Sequence, residues 1–219
     1  MRDLDPGGTR GCMGMAVVIA NDGTRSQRKS ALLQAAADLF AARGYHAVST
    51  DDIGRAVGIS GPGVYRHFGS KVELLTTLCD AAMDHLLDGS RAIVGSAGVG
   101  SAATARLVEF HVEFAATERA LLAVYLREQR ELPVRELRQL RRRQREYEGV
   151  WCAAISAERA DLAEPDVRAV VKVVLSMLNG TAYIRDSIPR ARLVGLLEQL
   201  AAGALGGVGI DIGGRTAAG

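Results

Sequence analysis

The chain has 219 residues, with 27 Lys or Arg against 25 Asp or Glu and 48% hydrophobic content. That is enough apolar material for a sizeable core, and a net charge of +2 excludes a polycationic chain, so any basic surface must be local. No apolar run reaches the length of a membrane-spanning helix, and Cys12, Cys79 and Cys152 stand alone, without a CxxC pair or a His at ligand spacing, which argues against a disulfide framework and a zinc site.

These cysteines suit a reducing cytoplasm. The short patch from Met15 to Ala20 lacks the flanks of a signal peptide. Residues 1–24 read as a flexible N-terminal extension, with Met13 or Met15 as possible true starts.

A first helix is predicted from Ser26 to Arg43, with Leu32, Leu33, Ala36, Leu39 and Phe40 on one face and Gly44 as its stop. A second begins at Thr50, read as its cap. Ile53, Ala56 and Val57 follow at helical spacing, and Gly58 permits a sharp reversal. Ser60 caps a third helix through its hydroxyl, and Pro62 is tolerated in the first turn. Val64 and Phe68 face inward, leaving Gly61, Gly63, Tyr65, Arg66 and His67 on or near the outward face. That is the pattern of a helix-turn-helix whose second helix enters a major groove. Seven Lys or Arg between Arg25 and Lys71 oppose three Asp, so basic charge gathers where phosphates would lie.

Ser70-Lys71-Val72-Glu73 reads as a capping box, opening a fourth helix that runs toward Ile93. Small residues from Gly95 to Gly100 precede a fifth helix carrying Leu107, Phe110 and Phe114. A sixth spans about Leu121 to Glu131 and ends ahead of Pro133. A seventh runs from Val134 to Arg159, with Leu137, Leu140, Tyr147, Trp151 and Ile155 on one face. Two more follow, Pro165 to about Asp186 and Pro189 to about Leu205, each with proline in its first turn. Residues 206–219 read as a flexible Gly-rich tail. No strand-like alternation emerges, so the fold class is all-α, with about nine helices: a DNA-binding head at 25–71 and a helical body at 72–205.

Residues Arg28 to Leu75 resemble the tetracycline-repressor (TetR) family of bacterial regulators. The resemblance rests on Ala36, Leu39 and Phe40, the Gly44-Tyr45 break, Ser49-Thr50 before Asp52-Ile53, Ser60-x-x-Gly63-Val64-Tyr65-x-His67-Phe68, and Ser70-Lys71-x-Glu73-Leu74-Leu75. It covers about a fifth of the chain. The Gly61-Pro62-Gly63 triplet departs from it, placing small residues where longer polar ones are often found. The resemblance implies phosphate contacts from Thr50, Tyr65 and His67, within a DNA-binding set of Arg28, Thr50, Ser60, Gly61, Gly63, Tyr65, Arg66, His67 and Lys71. Chemistry adds that the Arg66 guanidinium can grip guanine, and that Lys71 at a helix start favours an anion.

The resemblance further implies a ligand cavity in helices four to seven and a four-helix dimer interface from the last two. Val167, Val170, Val171, Val174, Met177, Leu178, Leu193, Leu196, Leu197 and Leu200 are too apolar to remain in water. They either complete the core or bury against a second copy in an isologous dimer. Phe110, His111, Phe114, Tyr125, Trp151, Asn179 and Tyr183 are pocket candidates as aromatic or polar residues in apolar stretches, although large aromatics at helical spacing are more often plain core.

The run Arg138, Arg141, Arg142, Arg143 and Arg145 is read as a solvated face balanced by Glu131, Glu136, Glu146 and Glu148. The sharper reading is an anion surface for an acyl-coenzyme A. No catalytic motif, metal set or cofactor loop is evident, so an enzyme is not expected. The expectation is a cytoplasmic, homodimeric repressor, released from a palindromic double-stranded operator by a small apolar, acyl-CoA or fatty-acid-like effector. Alternatives are a ligand-dependent activator or a helical adaptor for a protein partner.

Overall fold

The computed structural model describes residues 24–184 and 188–213. Most of the expected N-terminal extension, both alternative start methionines and the last six residues of the expected tail lie outside them. Among the described residues the chain is all-α. Helix α1 is Thr24–Arg43, α2 Thr50–Ala56, α3 Gly61–Val64, α4 Lys71–Ala97, α5 Ser101–Thr117, α6 Arg119–Glu128, α7 Val134–Glu158, α8 Glu164–Asn179 and α9 Arg190–Gly206, with 3-10 turns at Gln129–Glu131 and Gly180–Tyr183.

Local chemistry explains the boundaries. Gly44 ends α1 with a positive φ of 82°, its N–H bonded to the Phe40 carbonyl at 2.8 Å. The cap of α2 is Ser49, not Thr50: its hydroxyl accepts from the Asp52 N–H, and the Asp52 carboxylate accepts from the Ser49 N–H at 3.0 Å. Asp at the third helical position closes the reciprocal box that Thr50 has no partner to form. Ser60 precedes α3 in the cap position, but its side chain makes no capping hydrogen bond.

At α4, Ser70 accepts from the Glu73 N–H at 3.0 Å. The Glu73 carboxylate returns to the Gly69 N–H at 2.7 Å, one residue ahead of the expected partner. Helix α8 stops at Asn179, short of the expected Asp186, because the chain tightens into a 3-10 turn. The tail also departs from expectation. Ile210 is fully buried, and the Arg159 guanidinium donates to the Val208 carbonyl, so the described residues after α9 pack on the end of α7.

Two glycines shape the turn from α2 to α3. Gly58 has a φ of 74°. Gly54 is buried so tightly that a Cβ there would lie 2.8 Å from the Ile59 carbonyl oxygen, so α2 and the turn touch backbone to backbone.

Leu32, Leu33, Phe40, Ile53, Val64, Phe68, Leu74 and Leu75 fill the head and merge into one core with the body. Helix α4 packs against α5, α6 and α7; α1 packs against α6, and α9 lies on α5 and α8. Head and body are therefore joined twice, along α4 and through the contact of α1 with α6.

Candidate functional sites in the head and body

The helix-turn-helix presents a small polar face. Tyr65 is 53% exposed, and its hydroxyl accepts from the Thr50 hydroxyl at 3.3 Å, joining the start of α2 to the end of α3. Arg66, Ser60 and Arg28 are exposed, while His67 and Gly63 are half-buried. Beside them the Lys29 ammonium lies 5.0 Å over the Phe68 ring, fixing the start of α1 against the segment after α3.

Two members of the expected DNA-contacting set are placed otherwise. Gly61 is buried against α2: a Cβ there would fall on the Asp51 carboxylate, so it lets the helices meet and offers nothing outward. Lys71 is committed within the head. Its ammonium donates to the carbonyls of Tyr45 and Val48, each at 2.9 Å, and sits 4.2 Å over the Tyr45 ring. An ammonium holding two carbonyls and a ring is poorly placed to grip a phosphate as well.

The body holds a half-open cavity of about 280 Å³. Met83, Leu86, Leu122, Leu126 and Leu175 supply apolar walls, His111, Tyr125, Gln144, Tyr147, Asn179 and Ser176 neutral polar groups, and Glu148 and Lys172 opposite charges. Its deepest chemistry is a relay across three helices. The Asn179 carbonyl oxygen lies 3.0 Å from His111 Nε2 and can only accept, so the ring proton sits on Nε2 and Nδ1 accepts from the Tyr147 hydroxyl at 2.8 Å. Burial pulls the His111 pKa down to about 4, so the ring is neutral, while burial pushes the phenols of Tyr147 and Tyr125 up. Tyr125 accepts from the Gln144 amide and donates to Met83 Sδ at 3.2 Å.

Of the expected pocket residues, His111, Tyr125 and Asn179 line this cavity. Trp151 is fully buried behind it, edge-on to His111 and Tyr147. Phe110 and Phe114 pack on the His85 ring at centroid distances of 5.1 and 5.5 Å, and Phe114 also lies 6.2 Å from the His111 ring, but neither lines the cavity. Tyr183 is 67% exposed and lies outside the lining. Tyr147, Gln144, Met83 and Lys172 were missed. The available signal was Tyr147, four residues before Trp151 on one helical face, since a buried tyrosine hydroxyl needs a partner.

The arginine run is partly spoken for. Arg143 pairs with Asp80 at 3.2 Å and with Asp84, and Arg142 pairs with Glu146 at 3.4 Å. Arg138, Arg141 and Arg145 are exposed, and Arg145 lines a second, smaller pocket of about 200 Å³ beside Cys152 and Arg168.

On the last two helices Val167, Val171, Val174, Leu178, Leu193 and Leu197 are buried in the chain's own core, and Val170 and Met177 are half-buried. The apolar side chains left open there are Leu196 and Leu200 of the expected set, together with Val173 at 64% exposure.

Residues 32–78 match a family model described as bacterial regulatory proteins, tetR family, and residues 102–183 match one described as tetracyclin repressor-like, C-terminal domain. The HTH-type transcriptional repressor KstR2 of Rhodococcus jostii is 33% identical over 164 residues, 73% of this chain and 78% of that protein. The HTH-type transcriptional activator FasR of Mycolicibacterium smegmatis is 42% identical over 67 residues, which span 31% of each chain. Among solved structures, the ketosteroid transcriptional regulator KstR2 of Mycobacterium tuberculosis superposes with a TM-score of 0.74 at 23% identity, covering 86% of this chain and 97% of that one. The TetR family transcriptional regulator PfmR of Thermus thermophilus gives 0.70 at 25%, covering 80% and 96%.

Proposed function

The chain belongs to the TetR family of bacterial transcriptional regulators, and from that premise we propose that it is a homodimeric repressor released from a palindromic operator by a small, largely apolar effector bound in the body. One observation carries the reading. Leu122, Tyr125 and Leu126 of α6 line the cavity, and Arg127, the next residue, donates to the Ala41 carbonyl of the head at 2.7 Å. A ligand that favours one placement of α6 thereby favours one placement of the head, and only that difference in affinity can move DNA binding.

Repression is favoured over activation because the repressor KstR2 is matched through head and body, whereas FasR is matched over a far shorter stretch. The open face of Val173, Leu196 and Leu200 is the surface on which a second copy would seat about a twofold axis. Tyr65, Thr50 and His67 act on backbone phosphates and Arg66 on a base edge. Such a protein works in the cytoplasm, where the DNA is.

A second reading of the effector as an acyl-coenzyme A draws on Lys172 at the cavity, with Arg145 and Arg168 in the neighbouring pocket. These cations would meet phosphates left outside while the acyl chain enters.

The test is fluorescence anisotropy with DNA from upstream of the chain's own gene, at two salt concentrations and with nonspecific competitor. Salt-sensitive binding that survives competitor is expected, weakened by decanoyl-CoA or a matched uncharged ligand. Binding abolished by competitor on that DNA and on sequences selected from a random pool would defeat the reading.

A further inference from the structure

The cavity's polar groups differ in how firmly they are held, and the difference points to what enters. Both ring nitrogens of His111 are engaged, with the Tyr147 hydroxyl and the Asn179 carbonyl oxygen, through two hydrogen bonds of normal length, 2.8 and 3.0 Å. A ligand gains little by breaking them. Tyr125 is the exception: its hydroxyl lines the cavity and donates to a thioether sulfur, one of the weakest acceptors a protein offers. A ligand oxygen placed there would take that proton in exchange for a poor bond.

Charge narrows the ligand further. Among the described residues the charged side chains at the cavity are Glu148 and Lys172, one of each sign, and His111 is buried and neutral. Lys172 is solvent-exposed at the rim, so a carboxylate carried to the buried Tyr125 hydroxyl would leave that cation behind, and a buried unpaired charge is strongly disfavoured. An uncharged carbonyl needs no counter-ion and only accepts, which matches the Tyr125 hydroxyl, a buried donor whose present acceptor is a thioether.

Resting on the proposed effector site, we propose that the cavity selects an uncharged, mostly apolar ligand through a carbonyl-type oxygen that accepts from the Tyr125 hydroxyl in place of Met83 Sδ. A ketone, ester or thioester carbonyl satisfies this, and a free fatty acid does not. Met83 is thus the resting acceptor that keeps the Tyr125 proton occupied until ligand arrives.

The chain's only tryptophan, Trp151, packs on Tyr147 and His111 behind the cavity and reports occupancy by its fluorescence. Full-length protein is titrated at pH 7.5 with 2-decanone, sodium decanoate and decane. The ketone is expected to bind at least tenfold more tightly than either of the others. Tyr125→Phe should reduce the ketone to the affinity of decane. Met83→Leu, which removes the competing sulfur, should tighten the ketone severalfold and leave decane unchanged.

Decanoate binding as tightly as the ketone, or a ketone preference that survives Tyr125→Phe in folded protein, overturns the proposal while leaving the effector site intact. If none of the three probes changes Trp151 emission or binds by calorimetry, the cavity is no site for apolar ligands, and both readings fall together.

Discussion

Arg127 holds the head through a main-chain atom: its guanidinium donates to the Ala41 carbonyl at 2.7 Å, in the last turn of α1. Nearby, His46 lies 2.9 Å from Glu131 in the 3-10 turn that follows α6. These contacts tie the end of α6 to the head, while the preceding turn of α6 walls the cavity. Replacing Arg127 by Met should leave ligand affinity unchanged and shrink the ligand-induced loss of operator affinity by about tenfold, a coupling of roughly 1.4 kcal/mol. The comparison is operator titration with and without ligand. An undiminished response would place the coupling elsewhere, along α4.

Gly54 and Gly61 should respond unequally to alanine. At Gly54 the new Cβ meets the backbone of Ile59 and Ser60, which cannot step aside without moving the turn, whereas at Gly61 it meets the end of the Asp51 side chain, which can rotate away. Gly54→Ala is expected to cost about 1–3 kcal/mol, in the manner of an overpacked core, and to reduce operator binding. Gly61→Ala should cost less than half as much by urea denaturation. Equal losses would refute the distinction.

Lys71 and Arg66 separate a support from a reader. Lys71→Met removes two charged hydrogen bonds and a cation over the Tyr45 ring, so stability should fall by about 2–4 kcal/mol. The slope of log affinity against log salt should stay the same, because no phosphate contact is lost. Arg66→Ala should leave stability untouched and relax base preference at one operator position by about 1–3 kcal/mol. A shallower salt slope in Lys71→Met would return that residue to the DNA-contacting set.

Two buried groups oppose each other in pH dependence. Burial takes His111 from 6.5 to about 4, so its contribution is complete above pH 6.5 and is lost as pH falls toward 4, about 3 kcal/mol across the window. Burial first, then the Asp38 charge, raises Glu118 from 4.5 to about 7, so its contribution is present below pH 4.5 and is lost as pH rises through 7. Between pH 4.5 and 6.5 the two slopes have opposite signs. Glu118→Gln should therefore steepen the acid loss of stability and remove the decline near pH 7, measured by urea unfolding at half-unit steps. Superimposable profiles for wild type and variant would contradict this.

Charge on the open face of α8 and α9 tests the assembly. Val173→Glu with Leu200→Glu should yield a folded monomer at micromolar concentration by light scattering, with operator affinity down at least a hundredfold, since both side chains are solvent-exposed in the single chain. A dimer that survives both changes would use another surface.

The sequence made the architecture legible where a local rule had one outcome. Gly44, Pro133, Pro165 and Pro189 bracket their helices because glycine and proline act through their own backbone. Capping was less legible, since Ser49 and Thr50 both offer hydroxyls and only the position of Asp52 decides between them. The cavity was least so. His111 and Asn179 meet across 68 residues of chain, and periodicity gives the face of a helix without naming what that face meets. The apolar residues of α8 and α9 had two possible destinations in the sequence, and six of the ten expected at the interface lie inside the chain's own core.

The relay of His111, Tyr147 and Asn179 has a consequence for genetics. Because His111 is held by Tyr147 and Asn179 without ligand, substitutions among them would damage the fold and, if the protein represses as proposed, surface in a reporter screen as lost repression. Tyr125 takes no part in that relay, so its phenylalanine variant would keep the gene silent while deaf to inducer. Screening for colonies that stay dark in the presence of inducer should therefore return Tyr125 and pass over His111, although both line the same cavity.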